Sequence, residues 1–309
     1  MSIFRRGIWL AASLSTAVVA PGQIPEDVSP PSLGALIASG DLTAIERRVE
    51  EGVPPAAGLV AAARNNSREA IELLLGLGAP VDGLQASRAL FSAKRLGAAQ
   101  AESALIEAGA TLEGIDAIGR TLLILTAEKK SAGHLKSLLA LGVQIDRGTH
   151  TGMTALMTAV ANREHRKAGL LLRNGADPDI RDRDGWTALA WAVRRSDPKA
   201  VRLLLSRGAD PKPEDRLGWT PLHMACAQGD SEIVNELLSQ GALPNYETPS
   251  AGTPLVRAVQ SGDADTVAQL LAFGANRWTR VGGLNPLAWA RRLGRWQVAA
   301  VLRSEGAGS

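Results

Sequence analysis

The stretch Gly218-Trp219-Thr220-Pro221-Leu222-His223-Met224-Ala225 decides the fold. Thr220 is a helix-capping residue type, because its hydroxyl can accept a main-chain N–H of the first turn. Pro221 follows at the first helical position, where a missing donor leaves nothing unsatisfied. The stretch therefore reads as the start of a helix, and it has copies. Thr121, Thr154, Thr187, Thr220 and Thr253 stand 33 residues apart, each followed two positions later by a leucine. A fixed period of this size marks stacked repeats, one helical unit per period.

A second column punctuates the other end of each unit. Gly52, Gly78, Gly109, Gly142, Gly175, Gly208, Gly241 and Gly274 follow at intervals of 26, 31 and then 33 residues. A glycine just past a helix supplies the left-handed backbone that stops it. Before seven of these glycines sits a paired apolar step: Leu74-Leu75, Leu105-Ile106, Leu138-Leu139, Leu171-Leu172, Leu204-Leu205, Leu237-Leu238 and Leu270-Leu271. These steps are expected to form the buried face of each second helix, since a helix pair this short must stack on its neighbours to hide its apolar stripe. Upstream of Thr121 the threonine box is missing, but Leu33 to Ser39 with Leu42 to Glu51, and Leu59 to Asn65 with Arg68 to Leu77, still read as helix pairs. At the far end Gly283-Leu284-Asn285-Pro286 repeats the box with asparagine as cap, followed by Arg291, Arg292, Arg295 and Arg303, the polar face a terminal repeat needs. The expected count is eight full units plus this C-terminal cap.

The Thr-Pro-Leu-His box inside a 33-residue unit resembles the ankyrin-repeat family. The resemblance covers about residues 33–306: degenerate over 33–118, regular over 119–282, with the capping repeat at 283–309. It implies an all-α solenoid of stacked helix-turn-helix units with short hairpin loops. In the family the box histidine bonds between adjacent repeats. Only His223 preserves it here, and Ile124, Met157, Ala190 and Val256 replace it elsewhere. The acidic run Asp177, Asp179, Asp182 and Asp184 is interrupted by Arg181 and Arg183, and Asp177 and Asp182 fall where the family has turn-forming acids. It reads as a solvated loop, because a calcium site needs six or more converging oxygens.

Residues 1–22 have the three-part design of a secretory signal: Arg5 and Arg6, a 14-residue apolar run from Gly7 to Ala20, then small residues. The run is shorter than the roughly 20 residues of a membrane-spanning helix. Cleavage after Gly22 is expected, with cleavage after Ala20 and an uncleaved anchor as alternatives. Residues 23–32 form a polar spacer that Pro25, Pro30 and Pro31 keep from being helical. The expected location is therefore the periplasm or the secreted space. Cys226 is the only cysteine, so no intramolecular disulfide can form.

The formal net charge of +3 falls to +1 without Arg5 and Arg6, which argues against a general nucleic-acid binder. It is unevenly placed: residues 24–118 carry 7 basic and 13 acidic groups, residues 119–309 carry 25 and 18. No phosphate loop, glycine-framed serine, metal-spaced His/Cys cluster or catalytic carboxylate pair is present in the sequence. No enzyme activity, cofactor or metal is expected.

The informative residues are the tryptophans, six of seven lying after position 185. Trp186 and Trp219 share the slot between Gly and Thr, which in the family points from the hairpin toward the concave, partner-binding face. Positions four, seven and eight after each Thr share one helix face. That row reads Trp191, Arg194 and Arg195, then Met224, Ala227 and Gln228, then Arg257, Gln260 and Ser261, and in the cap Trp289 and Arg292. Tryptophan and arginine are enriched at binding hot spots. Trp186, Trp191, Arg194, Arg195, Trp219 and Arg257 are therefore the candidate partner-binding residues, with an acidic protein as the expected partner. For Trp191 and Trp289 gap-filling between helices is the competing role. The reading is a monomeric, non-catalytic binding scaffold of the cell envelope or secreted space. The alternatives are a targeting or regulatory subunit of an envelope enzyme, or an immunity or stress-protection protein.

Overall fold

The computed structural model describes residues 30–128 and 132–304; the expected leader at 1–22 lies outside them. The described residues hold eighteen α-helices in nine consecutive pairs. They are α1 (Leu33–Ser39) and α2 (Leu42–Glu50), α3 (Leu59–Arg64) and α4 (Arg68–Gly76), α5 (Leu84–Leu96) and α6 (Ala99–Glu107). Next come α7 (Leu122–Glu128) and α8 (Ala132–Ala140), α9 (Ala155–Ala161) and α10 (His165–Arg173), α11 (Ala188–Arg194) and α12 (Pro198–Leu205). The last three pairs are α13 (Pro221–Gln228) and α14 (Ser231–Ser239), α15 (Pro254–Ser261) and α16 (Ala264–Ala272), α17 (Pro286–Arg292) and α18 (Trp296–Ser304). Within the regular region first helices pack on first helices and second on second, as α11 on α13 and α12 on α14. Among the described residues there is no strand, only isolated bridges in the loops. The fold is the all-α repeat solenoid expected from the threonine ladder.

Each threonine caps as its position demands. The hydroxyls of Thr121, Thr154, Thr187, Thr220 and Thr253 accept the N–H groups of Ile124, Met157, Ala190, His223 and Val256, and Asn285 does the same for Ala288. The glycine column closes the second helices through a paired bond pattern. The N–H of Gly175 reaches Leu172 O at 3.2 Å and that of Ala176 reaches Leu171 O at 3.1 Å, and the same pair recurs at Gly208-Ala209, Gly241-Ala242 and Gly274-Ala275. The left-handed glycine lets the chain fold back onto the helix end, so the carbonyls of the last turn find donors.

The paired apolar steps are less uniform than expected. Leu74, Leu105, Leu138, Leu171, Leu204, Leu237 and Leu270 are fully buried, but of their followers only Leu205 and Leu238 are buried, and Ile106 is exposed. Adjacent residues on a helix point about 100° apart, so a narrow contact covers one and leaves the other at its rim.

Hairpin tips are tied one to the next by main-chain bonds. The N–H of His150 reaches Ile118 O (3.2 Å), that of Arg183 reaches Thr151 O (2.8 Å) and that of Arg216 reaches Asp184 O (3.0 Å). At Gly119 this closeness dictates the residue: φ is +82° and a Cβ would lie 2.6 Å from His150 N.

The apolar interior falls into two clusters. One runs from Leu33 to Ala110; the other joins Phe91 to Leu122 and continues to Leu302. The division coincides with the long helix α5 and the irregular spacing upstream of Thr121. A fully buried lysine, Lys167 on α10, lies inside the second cluster's region and donates to Thr126 O (3.2 Å) and Ala127 O (3.0 Å) at the end of α7.

Candidate functional site

The site begins with two turn aspartates. Asp182 Oδ1 accepts the N–H groups of Asp184 (3.0 Å) and Trp186 (2.9 Å), which fixes the hairpin, and its Oδ2 accepts the indole N–H of Trp191 (3.0 Å). Asp215 repeats the turn one unit later with Leu217 (2.8 Å) and Trp219 (2.9 Å), and its Oδ2 accepts the indole N–H of Trp186 (3.2 Å). The acidic run thus serves as turn hardware. It also orients two tryptophans, whose polar edges are satisfied and whose ring faces are left for packing.

The rings gather on this frame. Trp186 and Trp191 meet edge to face, with centroids 5.1 Å apart. The guanidinium of Arg194 lies 4.7 Å above the Trp186 ring, and that of Arg257 lies 4.7 Å above Trp219. Between Trp186 and Trp219 opens a cleft of about 290 Å³, floored by Met224 and Ala227 and edged by Leu217 and Arg194. Five of the six sequence-selected residues are therefore in or against one feature. Arg195 stands apart: it ends α11 with an exposed side chain, and its carbonyl accepts from Arg163.

The two arginines over the rings differ in kind. Each guanidinium nitrogen of Arg257 already has an acceptor, at Ala251 O (2.7 Å), Gln260 Oε1 (2.9 Å) and Ser250 O (2.8 Å), and burial lowers its pKa. Arg194 is exposed and forms no ion pair among the described residues, so it is the cation the cleft can offer to a ligand. Trp289 donates its indole N–H to Val281 O (2.9 Å) and carries Arg292 at 5.7 Å, a copy of the same pairing in the capping repeat.

Sequence reasoning missed Leu217 and Asp215. Leu217 is 69% exposed at the hairpin tip, and the only warning was a large apolar residue in a column that is otherwise mostly polar or small: Ile118, Thr151, Asp184, Leu217 and Ser250. His223 lies beneath the cleft, fully buried. Its Nε2–H donates to Gly252 O of the next repeat (3.1 Å), and its Nδ1 sits 2.8 Å from the Thr220 hydroxyl. Burial pushes its pKa down, so it is held neutral. Cys226 is completely buried beside it in sequence, and burial pushes its thiol pKa far up, which keeps it protonated and inert. No helix of the described residues is long and apolar enough to cross a membrane.

A family model described as ankyrin repeats (3 copies) matches residues 59–182, 123–215, 156–248 and 222–308 in overlapping placements. No curated protein matches the chain. Among solved structures, an ankyrin repeat domain from Acinetobacter baumannii AYE is 30% identical, the match covering 60% of this chain and 97% of that one with a TM-score of 0.57. Ankyrin repeats are generally protein–protein interaction scaffolds. With the matched segments running from 59 to 308 and the capped, glycine-closed pairs in place, this chain belongs to the ankyrin-repeat family.

Proposed function

We propose that the protein is an exported, non-catalytic scaffold that captures one protein partner through the cleft between Trp186 and Trp219. The observation that carries this reading is the cleft itself: an apolar hollow of about 290 Å³ with tryptophan walls and a single uncommitted cation, Arg194, at its edge. It suits an apolar anchor side chain flanked by a carboxylate, and the site is preformed, so little ordering entropy opposes binding. Aspartate bonds, ring packing and the stacked arginines hold the walls before any partner arrives.

Immobilised protein would be used to capture its partner from an envelope fraction, comparing the wild-type chain with Leu217→Asp. Leu217 is largely exposed, so the substitution leaves the fold intact while placing a charge at the mouth of the cleft. Loss of the captured protein is expected; an identical capture by the variant would remove the cleft from consideration. Export is tested separately by sequencing the N-terminus of the mature protein, which should begin after Gly22, and a chain still starting at Met1 would overturn it.

A further inference from the structure

A second hollow, distant in sequence from the tryptophan cleft, lies where the two apolar clusters meet. It has a volume of about 550 Å³ and lies between α3, α5 and α7, with Phe91, Leu122 and Leu125 in its floor and Arg64, Arg88 and Arg95 around it. Among the described residues no acidic one lines it. This is notable because it belongs to the acidic end of the chain, where 13 carboxylates face 7 cations over residues 24–118. Arg48, Arg68 and Lys94 all find carboxylates there, at 2.6, 2.5 and 2.6 Å. Arg64, Arg88 and Arg95 form no ion pair or hydrogen bond through their side chains among the described residues, and all three border the same cavity.

The spacing of the cations selects the ligand. Arg88 and Arg95 are seven residues apart on α5, so they share a face and their Cα atoms lie about 10 Å apart along the axis. A single phosphate or carboxylate cannot meet both without drawing the long side chains together. An extended peptide can, because residues four apart in a strand lie on the same face about 13 Å apart, a span the long, splayed arginine side chains reach. The residue midway between them points to that same face, so its side chain meets the apolar floor. A further hollow of about 310 Å³ shares Phe91 and Arg95 with the first and runs on toward Leu141, so the path continues beyond one residue's width.

We infer that this cavity is a second binding site, for an extended acidic peptide segment with two carboxylates four residues apart and an apolar side chain midway between them. The carboxylates meet Arg88 and Arg95, Arg64 adds a third cation at the α3 side, and the apolar side chain covers Phe91, Leu122 and Leu125. The site is independent of the tryptophan cleft, which is built by repeats farther along the chain.

The test is fluorescence anisotropy with the full chain and a short labelled peptide carrying two glutamates four residues apart with a leucine midway between them. The wild-type protein should bind it, and Arg88→Gln with Arg95→Gln should weaken binding by at least about tenfold, as expected for losing charge-assisted hydrogen bonds. Replacing both glutamates by glutamine in the peptide should weaken it comparably, whereas Leu217→Asp in the protein should leave it unchanged. Absence of wild-type binding, equal binding by the arginine double variant, or a loss caused by Leu217→Asp would each overturn the proposal. So would binding to vesicles of anionic lipid or to inorganic phosphate with the peptide ignored. Because Leu217→Asp disables only the cleft, failure of this site and failure of the proposed scaffold function are read from different variants.

Discussion

The ammonium of Lys167 donates to the carbonyl of Ala127, 3.0 Å away and 40 residues earlier in the chain. Thr126 O receives a second bond at 3.2 Å, and Glu164 lies 3.8 Å away as a weak counter-charge. These carbonyls lie near the described end of α7, Leu122–Glu128. One lysine therefore ties a helix of the preceding repeat to α10 through two buried carbonyls. Lys167→Ala should lower stability by about 3 kcal/mol, removing two buried hydrogen bonds and leaving a cavity behind. Lys167→Met restores the packing without the donors and should recover only part of that loss. Urea denaturation of both variants checks this, and a Met variant as stable as wild type would reduce the lysine to a space-filler.

His223 makes stability pH-dependent. Burial depresses its pKa below the ordinary 6.5, despite the favourable bond to Gly252. The unfolded chain then takes up the proton first as pH falls, so the contribution is fully present above pH 6.5 and is lost progressively below it. Denaturation midpoints measured from neutral to mildly acidic pH should fall more steeply for wild type than for His223→Gln. Parallel slopes would exclude the histidine as the source.

Gly119 should not tolerate a side chain. Gly119→Ala places a Cβ against His150 N in a left-handed backbone, and a loss of about 2 kcal/mol or more is expected. Hydrogen exchange at the His150 amide should rise in the variant, because its bond to Ile118 O is the contact displaced.

At the cleft the two tryptophans are partly structural. Trp186 packs on the core cluster and bonds Asp215, so Trp186→Ala should cost about 2 kcal/mol as well as binding. Leu217→Asp should cost binding with the thermal midpoint unchanged within about a degree, since exposed positions rarely contribute more than about 0.5 kcal/mol. Thermal melts beside capture assays separate the two effects.

Much of this was legible in the sequence because caps and terminators obey local rules. Thr220 must precede a helix and Gly175 must follow one, whatever surrounds them. The row Met224 and Ala227 was legible for the same reason, since helix periodicity alone puts them on the face that floors the cleft. What escaped depends on neighbours in space. Nothing about Lys167 in sequence marks it as buried, because its partners come from another repeat. The fate of Arg257, enclosed by loop carbonyls, and that of Arg88, left without a carboxylate, are likewise set by packing between repeats. Leu217 reads as an ordinary loop residue until Trp186 is placed beside it.

The meeting of the two apolar clusters at Phe91 has a consequence for how the molecule comes apart. In a linear array stability is a sum over units and the interfaces joining them, so the thinnest interface is where cooperativity breaks. Helices α5 and α7 touch only sparingly. Under moderate denaturant the chain is expected to open there first, with the later repeats persisting as a block and the tryptophan cleft intact. The arginine cavity, whose floor is shared across the junction, disappears in the same event.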